Sequence, residues 1–472
     1  MSQQELELPQ GWAETTVEHC VNILDGKRIP INSKERAKRI GKIPYYGATG
    51  QTGWINDFIF NEELVLIGED GAPFLDFAKD TAYVISGKSW VNNHAHVVRA
   101  IDELTSNQFL CHYLNIFDYH EIITGTTRMK LNQSSLKKIL VQLPPINEQK
   151  RIVSKIEELF SKIDYTKQSL EDTKLQLEKY RQSLLKSAFE GKLTEGWRQK
   201  HTGKIGSVDD FINLIKKANN EKNQDFLEIP REFLDKARDL PNEWRWISLA
   251  NLGDLNRGKS KHRPRNDPIL FGGKYPFIQT GVVRNSKGRI TSFKQTYNEV
   301  GLAQSKLFPT NTICITIAAN IADTSVLTFP ACFPDSVVGY NGFSNLIENM
   351  FMFYYIQSVK SNLEAIAPST AQKNINLDIL QKMLVPIMSN EEQKEIVSQI
   401  EQGFTLIENT TQIVESSLQN LQTMKMSILK QAFEGKLVPQ DPNDEPASVL
   451  LERIKSTKES QSTKQRGMKN DK

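Results

Sequence analysis

A long amphipathic stretch that occurs twice is the feature that most constrains the fold of this chain. In the first copy, residues 148–193, apolar side chains alternate at spacings of four and three residues, as in a coiled coil. No Pro or Gly interrupts residues 148–190, which predicts one helix of about 40 residues and ~60 Å. Such a helix needs a partner helix to cover its apolar face. The apolar positions are Ile152, Ile156, Leu159, Ile163, Leu170, Leu177, Tyr180 and Leu184.

The second copy follows 244 positions later (148 to 392) in the same register. The tripeptide Glu-Gln-Lys at Glu148 recurs at Glu392, and the hexapeptide Ala-Phe-Glu-Gly-Lys-Leu occupies residues 188–193 and 432–437. The polar interruptions of the apolar series recur as well. A shared heptad period would not reproduce the same exceptions, so the pattern indicates an internal duplication. The apolar positions of the second copy are Ile396, Ile400, Ile407, Val414, Leu421, Met424 and Ile428.

Each copy of the helix follows a globular segment. The first segment opens with Leu-Pro-Gln-Gly-Trp at residues 8–12, and the second with Leu-Pro-Asn-Glu-Trp at residues 240–244. Short apolar runs bounded by turn residues, such as Leu64–Gly68, predict strands, whereas residues 109–117 have helical spacing. The fold class is therefore predicted to be α+β.

These landmarks predict an ordered series of segments and one architecture. If the long helices pack antiparallel, each globular domain lies at the N-terminal end of its own helix, and a short connector suffices. We therefore expect two globular α/β domains separated by two long antiparallel helices and related by a pseudo-two-fold axis. The segments are a globular domain at 1–146, a long helix at 147–193, a connector with a short helix at 194–239, a second globular domain at 240–389, a second long helix at 390–437, and a C-terminal segment at 438–472 with a short helix and a disordered tail.

Composition sets only broad limits on function. The net charge of +3 is too small to indicate a nucleic-acid partner by itself. The apolar runs are shorter than the roughly 18 residues that a membrane span requires, and the N-terminus lacks a signal-peptide pattern. The 4 cysteines have no CxxC spacing, which suits reduced thiols and predicts a cytoplasmic location.

Clustered cations mark one equivalent place in each globular domain. Neutralising phosphates needs such clusters, and arginine can also bind guanine through two hydrogen bonds. The alternative interpretation is a solvated charged loop. The candidate DNA-binding cations are Lys27, Arg28, Lys34, Arg36, Lys38, Arg39 and Lys42 in the first domain, and Arg257, Lys259, Lys261, His262, Arg263 and Arg265 in the second.

Two further loops at matching positions, residues 125–130 and 369–374, place hydroxyl or amide side chains beside a cation. Such residues suit phosphate or base-edge contacts, although a turn capped by Thr and Ser would have the same composition. The pair His94 and His96 has no third ligand at a useful spacing, which favours strand-edge structure or a base contact over a metal site. The loop candidates are Thr127, Arg128, Lys130, Thr370, Gln372 and Lys373.

Catalytic motifs are missing from the sequence. Glu148 and Lys150 match half of a metal-dependent nuclease signature, but they begin a helix, where an acidic residue interacts favourably with the helix dipole. The glycines at 272–273 lack the strand–turn–helix setting of a cofactor loop. The sequence holds no P-loop and no Asn-Pro-Pro-Tyr motif of an amino-methyltransferase. We therefore expect a non-enzymatic chain without a metal or cofactor of its own.

The order of these features resembles the specificity subunit of type I restriction–modification systems. The resemblance rests on the Leu-Pro-x-x-Trp frame, the run LPPINEQKRIV at residues 143–153, the long helix and the repeated hexapeptide, and it covers Leu8 to about Ile454. It implies that the globular domains are target-recognition domains. Each would read one half of a bipartite, gapped sequence in double-stranded DNA, and the paired helices would set the gap.

The resemblance also implies a set of partners. Two methyltransferase subunits and two restriction–translocation subunits would join the chain, and S-adenosylmethionine, ATP and magnesium would belong to those partners. The repeated hexapeptides are candidate docking surfaces, with helix capping as the alternative. The competing hypothesis for the whole chain is a coiled-coil scaffold whose globular heads bind proteins. The docking candidates are Phe189, Glu190, Gly191, Lys192, Phe433, Glu434, Gly435 and Lys436.

Overall fold

The computed structural model describes residues 8–204, 206–318, 321–366 and 375–456. The chain divides into unit 1, formed by Met1–Asp172 and Val414–Lys472, and unit 2, formed by Thr173–Ile413. Each unit contains one globular domain together with part of each long helix. The tail beyond Ser456, which the sequence predicts to be disordered, lies outside the described residues.

Unit 1 is built from short strands and helices in front of the first long helix. The predicted strand at Leu64–Gly68 forms as β6 and is entirely buried, and the predicted helix forms as α3 with Ser106 as its N-cap. The strands are β1 (Ala13–Thr16), β2 (Val21–Ile23), β3 (Ile43–Gly47), β4 (Gly50–Ile55), β5 (Phe60–Asn61), β6 (Leu64–Gly68), β7 (Ala82–Ile85), β8 (Lys88–Val91), β9 (Ala95–Ala100) and β10 (Leu140–Leu143). The helices are α1 (Val17–Cys20), α2 (Ser33–Lys38), α3 (Asn107–Ile116), α4 (Gln133–Lys138) and α5 (Ile146–Phe189).

Unit 2 has more short elements. The connector contains the predicted helix as α7, but it also contains α6 and α8, which its polar composition did not reveal. The strands are β11 (Arg245–Ser248), β12 (Gly253–Arg257), β13 (Phe271–Phe277), β14 (Arg289–Ile290), β15 (Gln295–Tyr297), β16 (Leu307–Phe308), β17 (Ile313–Thr316), β18 (Thr324–Leu327), β19 (Ala331–Cys332), β20 (Val337–Gly342) and β21 (Leu384–Ile387). The helices are α6 (Glu195–His201), α7 (Val208–Glu221), α8 (Arg231–Leu234), α9 (Thr280–Asn285), α10 (Glu299–Ala303), α11 (Asn349–Ser358), α12 (Lys360–Ile366), α13 (Leu377–Gln381) and α14 (Asn390–Phe433). A last helix, α15, covers residues 447–456 and belongs to unit 1.

The two units share one sheet topology. Unit 1 has sheets ordered β1-β10, β2-β9-β6-β7 and β4-β3-β8-β5. Unit 2 has the corresponding sheets β11-β21, β12-β20-β17-β18-β14 and β15-β13-β19-β16, with β14 as an extra edge strand. In both units the third sheet contains one parallel pair, β3 with β8 and β13 with β19. The duplication therefore extends through the globular domains, although their sequences agree only at a few landmarks.

Parts of the two long helices pack antiparallel within each unit. In unit 1, Asp164 of α5 accepts a hydrogen bond from Lys425 of α14 at 2.7 Å. In unit 2, Leu184 of α5 packs against Gly403 of α14 so closely that a Cβ on the glycine would collide with it. Early residues of one helix thus meet late residues of the other. The helix bounds, Ile146–Phe189 and Asn390–Phe433, agree with the predicted helices to within a few residues.

Two predicted core positions of the helix pair are wrong. Tyr180 and Met424 are exposed by 50% and 51%. In each case the next residue makes the contact instead, because the charged end of a basic side chain is attracted to the face of an aromatic ring. Arg181 lies 3.8 Å from the ring centroid of Phe404, and Lys425 lies 5.0 Å from that of Phe160.

Buried polar contacts fasten each globular domain to the start of its own long helix. The indole N–H of Trp12 donates to Glu148 at 3.1 Å, and that of Trp244 donates to Glu392 at 3.0 Å. These contacts explain why the Leu-Pro-x-x-Trp frame and the Glu-Gln-Lys tripeptide are duplicated together. The following glutamines repeat the pattern, with Gln149 donating to the carbonyl groups of Leu104 and Pro144, and Gln393 to those of Leu346 and Met388.

The two glutamates differ in how their charge is compensated. Glu392 also accepts hydrogen bonds from Arg198 at 2.6 Å and from Thr194 at 2.7 Å. Among the described residues no lysine or arginine forms an ion pair with Glu148, and burial raises the pKa of this carboxyl group above its ordinary value. The nearby Arg151 pairs with Asp444 instead, at 2.7 Å.

Candidate nucleic-acid interface

The first basic stretch divides into exposed cations and cations that belong to the fold. Lys27, Lys34 and Lys42 are exposed, as is Lys38 at the end of α2. Arg36 and Arg39 are half-buried and lie over aromatic rings, 4.7 Å from the ring centroid of Tyr45 and 4.5 Å from that of Trp90, respectively. The exposed lysines keep the predicted role in phosphate contact, which the structure does not test.

The prediction for Arg28 needs correction. Its side chain is only 14% exposed and donates to Glu69 at 2.7 Å and to the carbonyl oxygen of Ala95 at 2.7 Å. Glu69 follows the buried strand β6, so the guanidinium neutralises a carboxylate inside the domain. A cation held this way is not free to contact a phosphate. The sequence distance of 41 residues between the partners hid this pairing from a local reading.

A buried polar cluster lies beside Arg28. His96 contacts Asp25 through Nδ1 at 2.7 Å and the carbonyl oxygen of Leu131 through Nε2 at 2.8 Å. Burial acts to raise the pKa of Asp25, but hydrogen bonds from His96, the Val97 N–H and Gln133 together lower it. Both ring nitrogens of His96 are thus engaged by groups inside the domain, and the side chain serves the fold.

The loop at residues 125–130 does contribute to a cleft. Thr124 and Lys130 exchange two backbone hydrogen bonds, of 2.9 and 2.8 Å, which close the loop into a tight hairpin. The hairpin forms one wall of a cleft of about 620 Å³ in unit 1. The lining residues are Gly47, Ala48, Thr49, Thr52, Asp70, Gly71, Asn92, His94, Thr127 and Arg128.

Polar side chains from three separate segments converge in this cleft. Arg128 donates from Nη2 to Oδ1 of Asp70 at 3.0 Å, and Nδ1 of His94 lies 2.7 Å from the same oxygen. The amide oxygen of Asn92 accepts from the backbone N–H of His94 at 2.8 Å. Lys130 lies behind the cleft and pairs with Glu69 at 3.3 Å. The predicted loop and the Asn92–His94 segment thus belong to one surface.

Asp70 is the cleft residue that the sequence reading missed. The one indication in the sequence was its position shortly after β6. Polar residues that follow a fully buried strand often line a site at the edge of the sheet. Lone acidic residues are too common to be singled out on that basis. Its hydrogen-bond partner Arg128 lies 58 residues later in the sequence.

The second basic stretch is an exposed loop with a fixed path. The backbone N–H of Lys261 donates to Gln304 at 2.6 Å, and the carbonyl of Lys259 accepts from Ser305 at 2.9 Å. Arg265 pairs with Asp335 at 2.9 Å. Of the other predicted residues, Arg257 and Arg263 are exposed and donate to backbone carbonyls, and Nε2 of His262 lies 2.8 Å from Asp267. The matching loop candidates Thr370, Gln372 and Lys373 lie outside the described residues.

The repeated hexapeptides mainly close the fold, which corrects the docking prediction for part of each. Phe189 and Phe433 are buried in the cores of units 2 and 1 and present no surface to a partner. Gly191 and Gly435 end the long helices at positive φ, and a Cβ at either would meet a proline of the Leu-Pro-x-x-Trp frame. Those distances are 2.5 Å to Pro241 and 2.6 Å to Pro9.

The charged residues of the hexapeptides remain at the surface. Lys192 pairs with Glu190 at 2.7 Å, and Lys436 pairs with Glu434 at 2.8 Å. Both lysines are well exposed. A docking role for these four residues stays a prediction. Within the described residues no helix is both long enough and apolar enough to cross a membrane.

Comparison with known proteins assigns this architecture to a family. The model of the type I restriction modification DNA specificity domain matches residues 9–174 and again residues 241–416. The EcoDI specificity subunit of Escherichia coli is 25% identical over 470 residues, which cover 95% of this chain and 96% of that protein. The EcoBI specificity subunit of Escherichia coli is 23% identical and covers 96% and 93% of the two chains.

Solved structures agree at the level of the fold. The HsdS subunit of Thermoanaerobacter tengcongensis has 17% sequence identity and a TM-score of 0.56, over 93% of this chain and all (100%) of that one. A chain from a study of complex assembly and conformational transition in a type I system has 17% identity and a TM-score of 0.59, over 91% and 100%. With the family match repeated on both units, the chain belongs to the specificity subunits of type I restriction–modification systems.

Proposed function

We propose that this chain acts as the non-catalytic specificity subunit of a DNA methyltransferase and endonuclease complex. The domains at residues 1–146 and 240–389 each read one half of a bipartite, gapped target in double-stranded DNA. The observation that carries this proposal is one sheet topology used twice with different surface loops. A common scaffold with two distinct reading surfaces suits a target whose halves differ.

The surface chemistry of both units supports a DNA partner. Unit 1 presents exposed lysines on and beside α2, and unit 2 presents a basic loop whose path is fixed by Gln304 and Ser305. Fixed loops suit recognition because they lose little conformational freedom on binding. Phosphate contacts from these cations would position the duplex, and polar side chains such as those of the unit 1 cleft would reach the bases.

The long helices have two further roles in this proposal. They set the gap between the half-sites, and together with the charged hexapeptide residues they dock two methyltransferase subunits. Two restriction–translocation subunits complete the complex. S-adenosylmethionine, ATP and magnesium belong to those partners. The chain purified alone, supplied with all three, is therefore expected to leave DNA unmethylated and uncut.

Domain exchange tests the proposal directly. The chain is co-expressed with the methyltransferase subunit of its own system, and methylated adenines are mapped across the host genome. Replacing residues 8–146 by the matching segment of a relative should change one half of the methylated sequence and leave the other half unchanged. The reciprocal exchange of residues 240–389 is the matched control and should change only the other half. Unchanged methylation in both exchanges would overturn the assignment of these domains to target reading.

A coiled-coil scaffold with protein-binding heads is the alternative, and salt dependence separates the two. A phosphate-reading surface gives an affinity for duplex DNA that falls steeply with salt, by a slope of about 0.9 for each phosphate neutralised on logarithmic axes. A gel shift of the whole chain at several salt concentrations measures that slope. Affinity indifferent to salt, or no binding at all, supports the scaffold instead.

A further inference from the structure

We propose that the cleft of unit 1 reads a guanine–cytosine base pair, with Arg128 donating to the guanine and Asp70 accepting from the cytosine. This inference rests on the proposed function, since it names the base pair that one reading surface takes. It concerns a cleft formed within unit 1 by Asp70, Asn92, His94, Thr127 and Arg128.

Arg128 is held in place but keeps donors free. Its side chain is 63% exposed, and one nitrogen donates to Asp70 at 3.0 Å. Among the described residues, Nη1 and Nε of Arg128 have no hydrogen-bond partner. Gly71, at a φ of +68°, leaves room beside the guanidinium, because even an added Cβ would lie 3.6 Å from Nε. A pre-oriented planar fork with free N–H groups matches the O6 and N7 acceptors of guanine in the major groove.

Asp70 argues for a base edge and against a phosphate as the ligand. Its side chain is 20% exposed in the cleft, and Oδ1 is shared between Arg128 and His94. In the described part of the chain, Oδ2 has no hydrogen-bond partner. A phosphate beside this carboxylate would be repelled, whereas the N4 amino group of cytosine donates to carboxylates. Donors on Arg128 beside an acceptor on Asp70 form the complement of a guanine–cytosine pair.

An exposed lysine of the same unit offers a contrast. Lys34 on α2 is exposed, and no carboxylate anchors it among the described residues. Such a point charge suits a phosphate, which carries no sequence information. Its loss should therefore weaken binding to all sequences alike. Lys34→Ala is the matched control for changes at Arg128.

The test first enriches the DNA sequences that the whole chain binds and then measures the affinity for altered forms of the enriched sequence. A library of random 30-base-pair duplexes is enriched on the wild type and on Arg128→Ala, Arg128→Lys, Asp70→Asn and Lys34→Ala. The wild type should enrich a sequence with one guanine–cytosine pair whose replacement costs about tenfold to a hundredfold in affinity. Arg128→Ala should lose the preference at that pair alone, Arg128→Lys should weaken it because an ammonium group lacks the planar fork, and Asp70→Asn should relax it. Lys34→Ala should keep every preference.

Modified DNA makes the result independent of protein folding. Each guanine of the selected site is replaced in turn by 7-deazaguanine, which lacks the N7 acceptor. At one position this change should cost the wild type about tenfold in affinity, and it should cost Arg128→Ala nothing further. If no position shows the loss, or if the Arg128 variants keep all preferences, the inference is wrong. If the wild type enriches no sequence, the proposed function itself fails.

Discussion

The buried glutamates at the start of the two long helices differ in charge compensation. The same substitution, glutamate to glutamine, should therefore change the stability of the two units differently. Glu392 accepts from Arg198 at 2.6 Å, whereas Glu148 is buried without an ion pair among the described residues. Glu392→Gln should therefore strongly destabilise unit 2, and Glu148→Gln should leave unit 1 unchanged or slightly more stable. Both changes keep the side-chain shape and an oxygen that can accept from the tryptophan.

The magnitudes follow from what each substitution leaves behind. In Glu392→Gln, the buried guanidinium of Arg198 loses its nearest carboxylate and keeps only Glu243 at 4.0 Å. The amide nitrogen must then face either the indole N–H of Trp244 or the guanidinium N–H of Arg198, a donor against a donor. Removing one partner of a buried ion pair costs about 3–5 kcal/mol. In Glu148→Gln, only the bond from Trp12 is at stake, and the glutamine oxygen can accept it, so a change below about 1 kcal/mol is expected.

The pH dependence of the unfolding free energy tests the same reasoning independently. Burial raises the pKa of Glu148 in the folded chain, so the folded state holds this proton more tightly than the unfolded state does. The contribution of Glu148 to stability is then fully present below the unfolded pKa and is lost as pH rises through the folded pKa. Glu148→Gln removes this loss. The variant should gain stability relative to the wild type as pH rises above the ordinary glutamate pKa of about 4.3.

Hydrogen exchange of backbone amides measures the stability of the two units separately in one intact chain. The ladder amides of β1 and β10 report on unit 1, and those of β11 and β21 report on unit 2. A loss of about 3 kcal/mol lowers protection by about a hundredfold, so Glu392→Gln should speed exchange in β11 and β21 by that factor. If both variants lose protection equally, or if Glu148→Gln is the worse, charge compensation does not decide stability here.

Three further predictions follow from fixed contacts in the fold. Gly435→Ala should destabilise unit 1 by about 2–4 kcal/mol in urea unfolding, because the added methyl group clashes with Pro9 and the residue has a positive φ. Gly203→Ala is the control, since Gly203 also has a positive φ but no neighbour within 4 Å, and it should cost only about 1 kcal/mol. His96→Gln should cost about 1–3 kcal/mol in the same assay, because the buried Asp25 loses a close contact to His96 and keeps Gln133 at 2.8 Å and Arg28 at 3.6 Å. His94→Gln should cost less than about 1 kcal/mol. One heptad inserted into each long helix adds about 10 Å, so the methylated target should gain about three base pairs of gap, and an unchanged gap would contradict the spacer role.

Periodic features of the fold could be predicted from the sequence. The long helices follow from apolar spacing over many turns. Their bounds are set by prolines before them, at 144–145 after β10 and at 386 within β21, and by Gly191 and Gly435 after them. The strand β6 follows from an unbroken apolar run. Each of these signals is local, so the residues that cause the structure are neighbours in the sequence.

Features that depend on distant partners could not be predicted. Arg28 and Lys34 look alike in a basic stretch, yet Arg28 lies against Glu69 inside the domain and Lys34 is exposed. Arg128 was a candidate by composition, but its role in a cleft depends on Asp70, which follows a different strand. Charge alone marks a region, and only the fold decides which cations in it remain free.

The duplicated units share the residues that join each globular domain to the long helices. They differ at the surface residues that would contact a ligand. The tryptophan–glutamate contact and the proline–glycine contact recur in both units, and each joins a globular domain to the end of a long helix. A change that removes the acceptor from the tryptophan, or the glycine beside the proline, breaks a buried contact, so we expect such changes to be poorly tolerated. The cleft hairpin at 125–130 is closed by its own backbone hydrogen bonds and leaves side chains such as Thr127 exposed. Its residues can therefore change what is read while the anchors keep the domain in place.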